Sequence, residues 1–400
     1  MKKNSQWRRP FFTLYIGQAF SLLSSSAVQF AIIWWITAET GSAISLTIAS
    51  VVGLLPQVIL GPFAGVIIDR HKRKTVMIVA DLGVAVSSLA LGMSFFFGKP
   101  AMPFIYVILF LRAIGETFHK PALQAAIPQL VPVEELTRAG GLGQLVSALC
   151  SMAGPMLGAL LTNLLPLHFI MVVDIAGAIA AVMALSTVRI PDHAGQTASR
   201  SGIFREMKDG FLAIKSNKGL VRATVPVFLT SMVFMPLGSL LPLMVKHYFL
   251  GGALQGGLVQ TLFSIGMLVS AAVFGVSGVS KRPFAMISLS SFLLGLCSLI
   301  GGLLTPNAFW AFCIVVFVIG TTGMMGTIPY MVYIQKSVAP ENLGKVISTV
   351  TSIISIGIPL GMLAAGPIAE LVGVSAWMAG VGILLLLIGS LSYMRTRQFD

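Results

Sequence analysis

Charge is scarce in this chain, and negative charge is scarcest: 13 Asp and Glu stand against 26 Lys and Arg, and charged residues make up only 10% of the 400. So small a polar complement cannot cover a water-soluble globule of this size. With 56% hydrophobic residues and a mean hydropathy of +0.92, the medium implied is lipid. Cysteine is nearly missing too: Cys150, Cys297 and Cys313 all fall in apolar runs, with no CxxC or His-rich spacing, so neither a disulfide nor a structural metal is expected. The five histidines, His71, His119, His168, His193 and His247, are scattered near the ends of those runs, where a solvated interfacial imidazole is the ordinary case. There is no P-loop, HExxH, GxSxG or clustered catalytic set, so an enzyme, an ATP-driven pump and a bound cofactor are not expected.

What is present is a series of apolar runs, each long enough to cross about 30 Å of hydrocarbon as a helix. Twelve are read, at 11–38, 43–66, 75–98, 103–127, 138–165, 167–189, 219–248, 252–278, 283–304, 307–335, 342–371 and 373–394. Helices satisfy their own backbone in lipid, and the alternating ten-residue pattern of membrane barrels is absent, so the class is all-α integral membrane. Lys2, Lys3, Arg8 and Arg9 ahead of an apolar run imitate a signal peptide, but the run is too long and eleven similar ones follow.

On this map 23 of the 26 Lys and Arg fall on one side, only Lys99 and Lys246 fall on the other, and Arg112 lies inside a span. That asymmetry is the positive-inside pattern. It predicts a multi-pass protein with both termini cytoplasmic, and it explains the net charge of +13 without nucleic acid.

Residues 190–218 are the only long polar stretch, and they divide the spans six from six. The organisation expected is residues 1–190, a cytoplasmic linker at 191–218, and residues 219–400. Within the linker Ile203, Phe204, Met207, Phe211 and Ile214 recur at helical spacing against Arg205, Lys208 and Lys215. That pattern fits a helix on the inner leaflet, or else a tether with partial helicity. The halves resemble one another: a shift of 207 lays VEELTR at 133–138 over PENLGK at 340–345, and Gly154 over Gly361. In duplicated transporters the substrate site lies where repeats meet.

Between spans two and three, Gly65-Val66-Ile67-Ile68-Asp69-Arg70-His71-Lys72-Arg73-Lys74 places five charges in six positions at the mouth of an apolar run. With twelve spans in a 6+6 repeat, this stretch resembles the loop signature G-x-L-x-D-R-x-G-R-K of the major facilitator superfamily, departing from it at Ile67 and Lys72. The counterpart at Gly275 to Arg282 lacks the Asp. The stretches GQAFSLLSSSAVQFAIIWWITAETGSA, LRAIGETFHKPALQAAIPQLVP and REMKDGFLAIKSNKGL narrow the resemblance to drug exporters, bacterial macrolide-efflux proteins among them. Gly154-Pro155-Met156-Leu157-Gly158 is similar to the Gly-Pro antiporter signature, with Ala159 where a second Gly is common.

The resemblance implies two pseudo-symmetric six-helix bundles in a bacterial inner membrane. They would exchange a small amphipathic or cationic drug for protons, in contact with membrane lipid, as a monomer. It implies a conformational latch at Gly65, Asp69, Arg70 and Arg73, closing against the start of span eleven near Asn342 to Val346. An ordinary insertion signal is the plainer reading of the same charges. Small residues four apart, Gly61 and Gly65, Gly154 and Gly158, Gly252 and Gly256, Gly357 and Gly361, fall in spans two, five, eight and eleven, which the family pairs across its domain interface. Each pair alone would also suit plain packing.

Ionisable groups inside spans are costly and so informative. Four stand out: Asp81, Arg112, Glu116 and Asp174. Arg112 and Glu116 are i and i+4, so a pair on one helix face is allowed, with Glu116 as proton carrier, Asp81 in reserve and Arg112 as tuner. Asp174, in a span that the family keeps peripheral, reads more readily as structural. A cavity would draw on Gln29, Phe30, Trp34, Phe118, Met232, Met235, Gln260, Phe263, Met325 and Tyr330, each of which packing would also explain. The rival functions are a carrier for a lipid or metabolite and a non-transporting membrane scaffold or sensor.

Overall fold

The computed structural model describes residues 7–190, 203–278 and 282–396, and among them it is helical with no strand. Twelve helices are long and apolar enough to span: α1 (Arg8–Thr40), α2 (Ala43–Arg70), α3 (Arg73–Phe97), α4 (Met102–Leu130), α5 (Leu136–Leu164), α6 (Leu167–Thr187), α8 (Lys218–Leu243), α9 (Ala253–Ser277), α10 (Pro283–Leu303), α11 (Phe309–Ser337), α12 (Pro340–Val372) and α13 (Val374–Thr396). They form the two six-helix bundles expected. Prolines lie inside α2, α8 and α12, as membrane helices allow more readily than soluble ones. The last turn of α8 widens into a π-helix, Met244–Tyr248, tied down by the Tyr248 hydroxyl donating to Leu304 O at 2.6 Å.

The remaining helix, α7 (Ile203–Ser216), lies in the linker. Residues 191–202 of that linker, Lys281 of the second charge cluster, and the side chains of residues 203–209 lie outside the described residues. Where α7 is described, it packs on protein: Ile214 joins a core cluster with Leu220, Val346 and Val350, and a Cβ at Gly210 would meet Lys345 O at 2.7 Å. Phe211 and Leu212 remain exposed. Asn217 then caps α8, accepting from Gly219 N at 3.0 Å and Leu220 N at 3.2 Å.

The chain separates into two compact units, with α7 in the second. Residues 36–51, the end of α1 and the start of α2, also cluster with the second unit, a placement the span order does not suggest. One tie there is Glu370 near the end of α12. Its Oε2 accepts from Ala43 N at 2.6 Å, Ile44 N at 3.3 Å and Ser42 Oγ at 3.1 Å, a carboxylate seated on the unpaired N–H groups that open α2. Beside it, a Cβ at Gly366 would lie 2.2 Å from Thr47 Oγ1, so α12 and the start of α2 touch almost backbone to backbone.

The repeat is visible in packing within each unit. A Cβ at Gly154 on α5 would strike Ser26 of α1, and one at Gly361 on α12 would strike the Met232 carbonyl of α8 at 1.9 Å. Gly158 likewise lies over the Ala27 carbonyl, and Gly357 over the Phe228 ring. These glycines, expected to line a surface between bundles, hold neighbouring helices together inside each one.

Candidate functional site

Arg112 lies in the middle of α4 with 2% of its surface exposed, and a buried guanidinium must find an anion. Its partner is Asp174 of α6, itself 1% exposed. Arg112 Nη1 donates to Asp174 Oδ2 and to Ser88 Oγ of α3. The Ser88 hydroxyl donates to Asp174 Oδ2 at 2.6 Å, and the Ser25 hydroxyl of α1 donates to Asp174 Oδ1 at 2.7 Å. Four helices are tied by one carboxylate. Small residues allow the approach: a Cβ at Gly177 would overlap Ser24 Oγ, and one at Gly115 would lie 3.1 Å from Ala80 O. The pair that the i, i+4 spacing allows, Arg112 with Glu116, is therefore not the one formed, and Asp174 is the anion that neutralises Arg112.

This leaves two features unspent. Arg112 Nε and Nη2 are buried with no hydrogen-bond partner, so one edge of the guanidinium is vacant. Glu116, one turn along α4, is exposed, within electrostatic reach of Arg112, Asp174, His119 and Lys120. Asp81 of α3 is buried and faces His119, with Oδ1 3.5 Å from Nε2; Asp81 Oδ2 has no partner. His119 is thus a half-hidden partner of a buried acid, and the interfacial reading of it is corrected.

At the α2–α3 turn Asp69 and Arg73 are 3.8 Å apart, while Arg70 is exposed. A Cβ at Gly61 or Gly65 would meet nothing, so neither glycine is in close contact in this conformation. Lys74 has a role that sequence reasoning missed. It donates to Ser186 O at 2.9 Å and Val188 O at 3.0 Å, placing a cation on the carbonyl end of α6.

Of the cavity candidates, Phe30 and Trp34 stack at 6.0 Å and are buried, and Phe118 packs on the core of the first unit. Gln29, Met232, Gln260 and Met325 are half-buried. Tyr330 is core: it is 2% exposed and its hydroxyl lies 2.8 Å from Thr224 Oγ1. Gly252 opens α9, its N–H bonded to Gln255 Oε1 at 2.8 Å, and Gly256 is buried.

Met235 and Phe263 do line a cavity of about 120 Å³ within the second unit, walled by α8, α9, α10 and α11. Phe234, Met267, Leu294 and Met324 supply apolar surface. Most hydroxyls among its walls are tied to the helices, Thr230 to Ser291 at 2.8 Å, Ser290 to Thr322 O at 2.7 Å and Thr327 to Gly323 O at 3.2 Å. No ionisable group lines it, so it suits an uncharged, apolar portion of a ligand. The hydroxyl walls were not singled out in the sequence because Ser and Thr in a span usually bond their own helix.

A family model described as Major Facilitator Superfamily matches residues 14–362 and, separately, 227–399. Macrolide efflux protein A of Streptococcus pyogenes is 34% identical over 389 residues, 97% of this chain and 96% of that protein. Multidrug efflux pump Tap of Mycolicibacterium fortuitum is 25% identical over 387 residues, 92% of this chain and 91% of that protein. Among solved structures, a bacterial homologue of the iron transporter ferroportin in an inward-facing state superposes with a TM-score of 0.74 over 96% of this chain and 98% of that one. At 14% identity that likeness concerns the fold alone.

Proposed function

Because the chain belongs to the major facilitator superfamily, we propose that it exports amphipathic drugs, macrolides first among them, in exchange for protons by alternating access between its two bundles. The observation that carries the substrate class is the 34% identity to a macrolide efflux protein over nearly the whole chain. Proton coupling is supported by Glu116, an exposed carboxylate in a span next to a buried guanidinium with a vacant edge. A carboxylate facing lipid there would be costly, so its working environment is a water path opened in the transport cycle. The setting is a bacterial plasma membrane with both termini cytoplasmic, as the Lys and Arg asymmetry supports. Asp69, Arg70 and Arg73 serve as the latch of one end-state, which accounts for open space at Gly65 in a conformation where it is not engaged.

Reconstituted protein should accumulate erythromycin in proteoliposomes when a pH gradient is imposed and lose the gradient of drug when the protons are equilibrated. One proton exchanged per drug supports roughly a tenfold drug gradient for each pH unit. Uptake unaffected by collapse of the pH gradient would remove antiport, and uptake of a lipid or metabolite in preference to erythromycin would move the chain to another carrier class.

The cavity of the second unit gives a sharper test, because two of its glycines differ. A Cβ at Gly323 would meet nothing, whereas one at Gly320 would lie 2.2 Å from the Phe263 carbonyl. Gly323→Leu therefore fills the cavity without disturbing the helix contact. It should weaken erythromycin binding about tenfold, the worth of one or two methylenes no longer buried, with thermal stability unchanged. Unchanged affinity would place the drug elsewhere.

A further inference from the structure

We infer that His119 and Asp81 form a proton relay between Glu116 and the water on the α2–α3 side of the membrane; this rests on the antiport reading above. Three polar groups recur along α4 at spacings of four and three: Arg112, Glu116 and His119. That spacing sets them on one helix face over about 10 Å. His119 reaches off this face to Asp81 on α3, with Nε2 3.5 Å from Oδ1.

The pair is incomplete as it stands. Asp81 is 5% exposed, its Oδ2 has no partner, and His119 Nε2 is buried with no hydrogen bond. A buried carboxylate and a buried imidazole nitrogen left without hydrogen bonds each carry a desolvation cost. One proton placed between Nε2 and Oδ1 gives the imidazole nitrogen its missing hydrogen bond and offsets the charge of the buried carboxylate, and so gives the pair a specific use for the ion that Glu116 is proposed to carry. The nearby charges do not compete for it. Asp174 is occupied by Arg112, and Lys74 by the end of α6. Asp69 is bridged to Arg73, while Lys120 and Arg70 are exposed.

The transfer is a sequence of single proton movements. The Glu116 carboxyl gives its proton to the neutral His119 ring and becomes a carboxylate; the imidazolium gives one to the Asp81 carboxylate and returns to neutral; Asp81 releases it to water. Each group ends in its starting charge once Glu116 is reloaded from the other side. His119 also explains why the acid need not lie at the membrane surface: Asp81 is eight residues into α3, about 12 Å from its start.

The test uses full-length protein in proteoliposomes, with erythromycin as the drug and an entrapped pH-sensitive dye to follow protons. Erythromycin-driven proton flux in the wild type must be present; its absence overturns the antiport reading and the relay with it. Given that flux, His119→Gln should slow it on the order of 100-fold, the usual scale for a lost proton-transfer group, while drug-for-drug exchange stays within about twofold. Asp81→Asn should reproduce the split and serves as the second variant should His119→Gln not fold. A residue that only braced α4 against α3 would slow both fluxes together, and that result, or wild-type proton flux in either variant, would overturn the relay.

Discussion

Arg112→Met is expected to destabilise the first unit by about 3–5 kcal/mol, the range for removing one member of a buried ion pair. The cost does not come from losing attraction. It comes from leaving the Asp174 carboxylate, 1% exposed, with only the Ser25 and Ser88 hydroxyls to offset its charge. In detergent the variant should lose its monodisperse peak at temperatures where the wild type keeps it. Arg112→Lys should recover only part, since an ammonium is a point donor and cannot reproduce the placement of Nη1 between Asp174 and Ser88. The decisive comparison is Arg112→Met with Asp174→Asn. With no charge left buried, and an amide able to keep the serine contacts, the double variant should be more stable than Arg112→Met alone. A single variant as stable as the wild type would show that the four-helix junction is not held by this charge.

That junction marks the limit of what the sequence reveals. The spans are legible because each is a local property: twenty or so apolar residues must be helical in lipid whatever surrounds them, and α1 to α6 and α8 to α13 fall where the runs do. Partners across helices are not local. Spacing offered Glu116 to Arg112, but the anion that answers it is Asp174, 62 residues away on α6, and only packing brings the two together. The glycines show the same division. The four-residue interval at Gly154 and Gly158 or Gly357 and Gly361 says that a neighbour comes close, and it cannot say that the neighbour is α1 or α8 of the same bundle. Glu370 was overlooked because a lone acid near the end of a span looks like a solvated terminus. Its hold on Ala43 and Ile44 spans more than 300 residues.

Glu116→Gln is expected to abolish erythromycin accumulation driven by a pH gradient and to leave drug-for-drug exchange running. The reason lies in the two features that the Arg112–Asp174 pair leaves unspent. Arg112 Nε and Nη2 form a vacant donor edge, and the Glu116 carboxylate is one turn away on the same helix. An ionised Glu116 can turn onto that edge through charge-assisted hydrogen bonds, whereas a protonated one gains far less there. Proton loss would therefore change the position of the side chain, and a bound cationic drug, which favours the ionised form, would compete with the proton. Glutamine is the neutral state made permanent: it cannot release a proton, and an amide has little claim on the guanidinium. The variant should bind drug, shuttle it in both directions and equilibrate it, so the gradient falls from roughly tenfold per pH unit to none. Glu116→Asp, one methylene shorter, should keep coupling with a slower turnover. Should Glu116→Gln still build a drug gradient from protons, the carrier is another acid, and Asp81→Asn is the next variant to measure: as the carrier it should abolish pH-driven accumulation while drug-for-drug exchange continues.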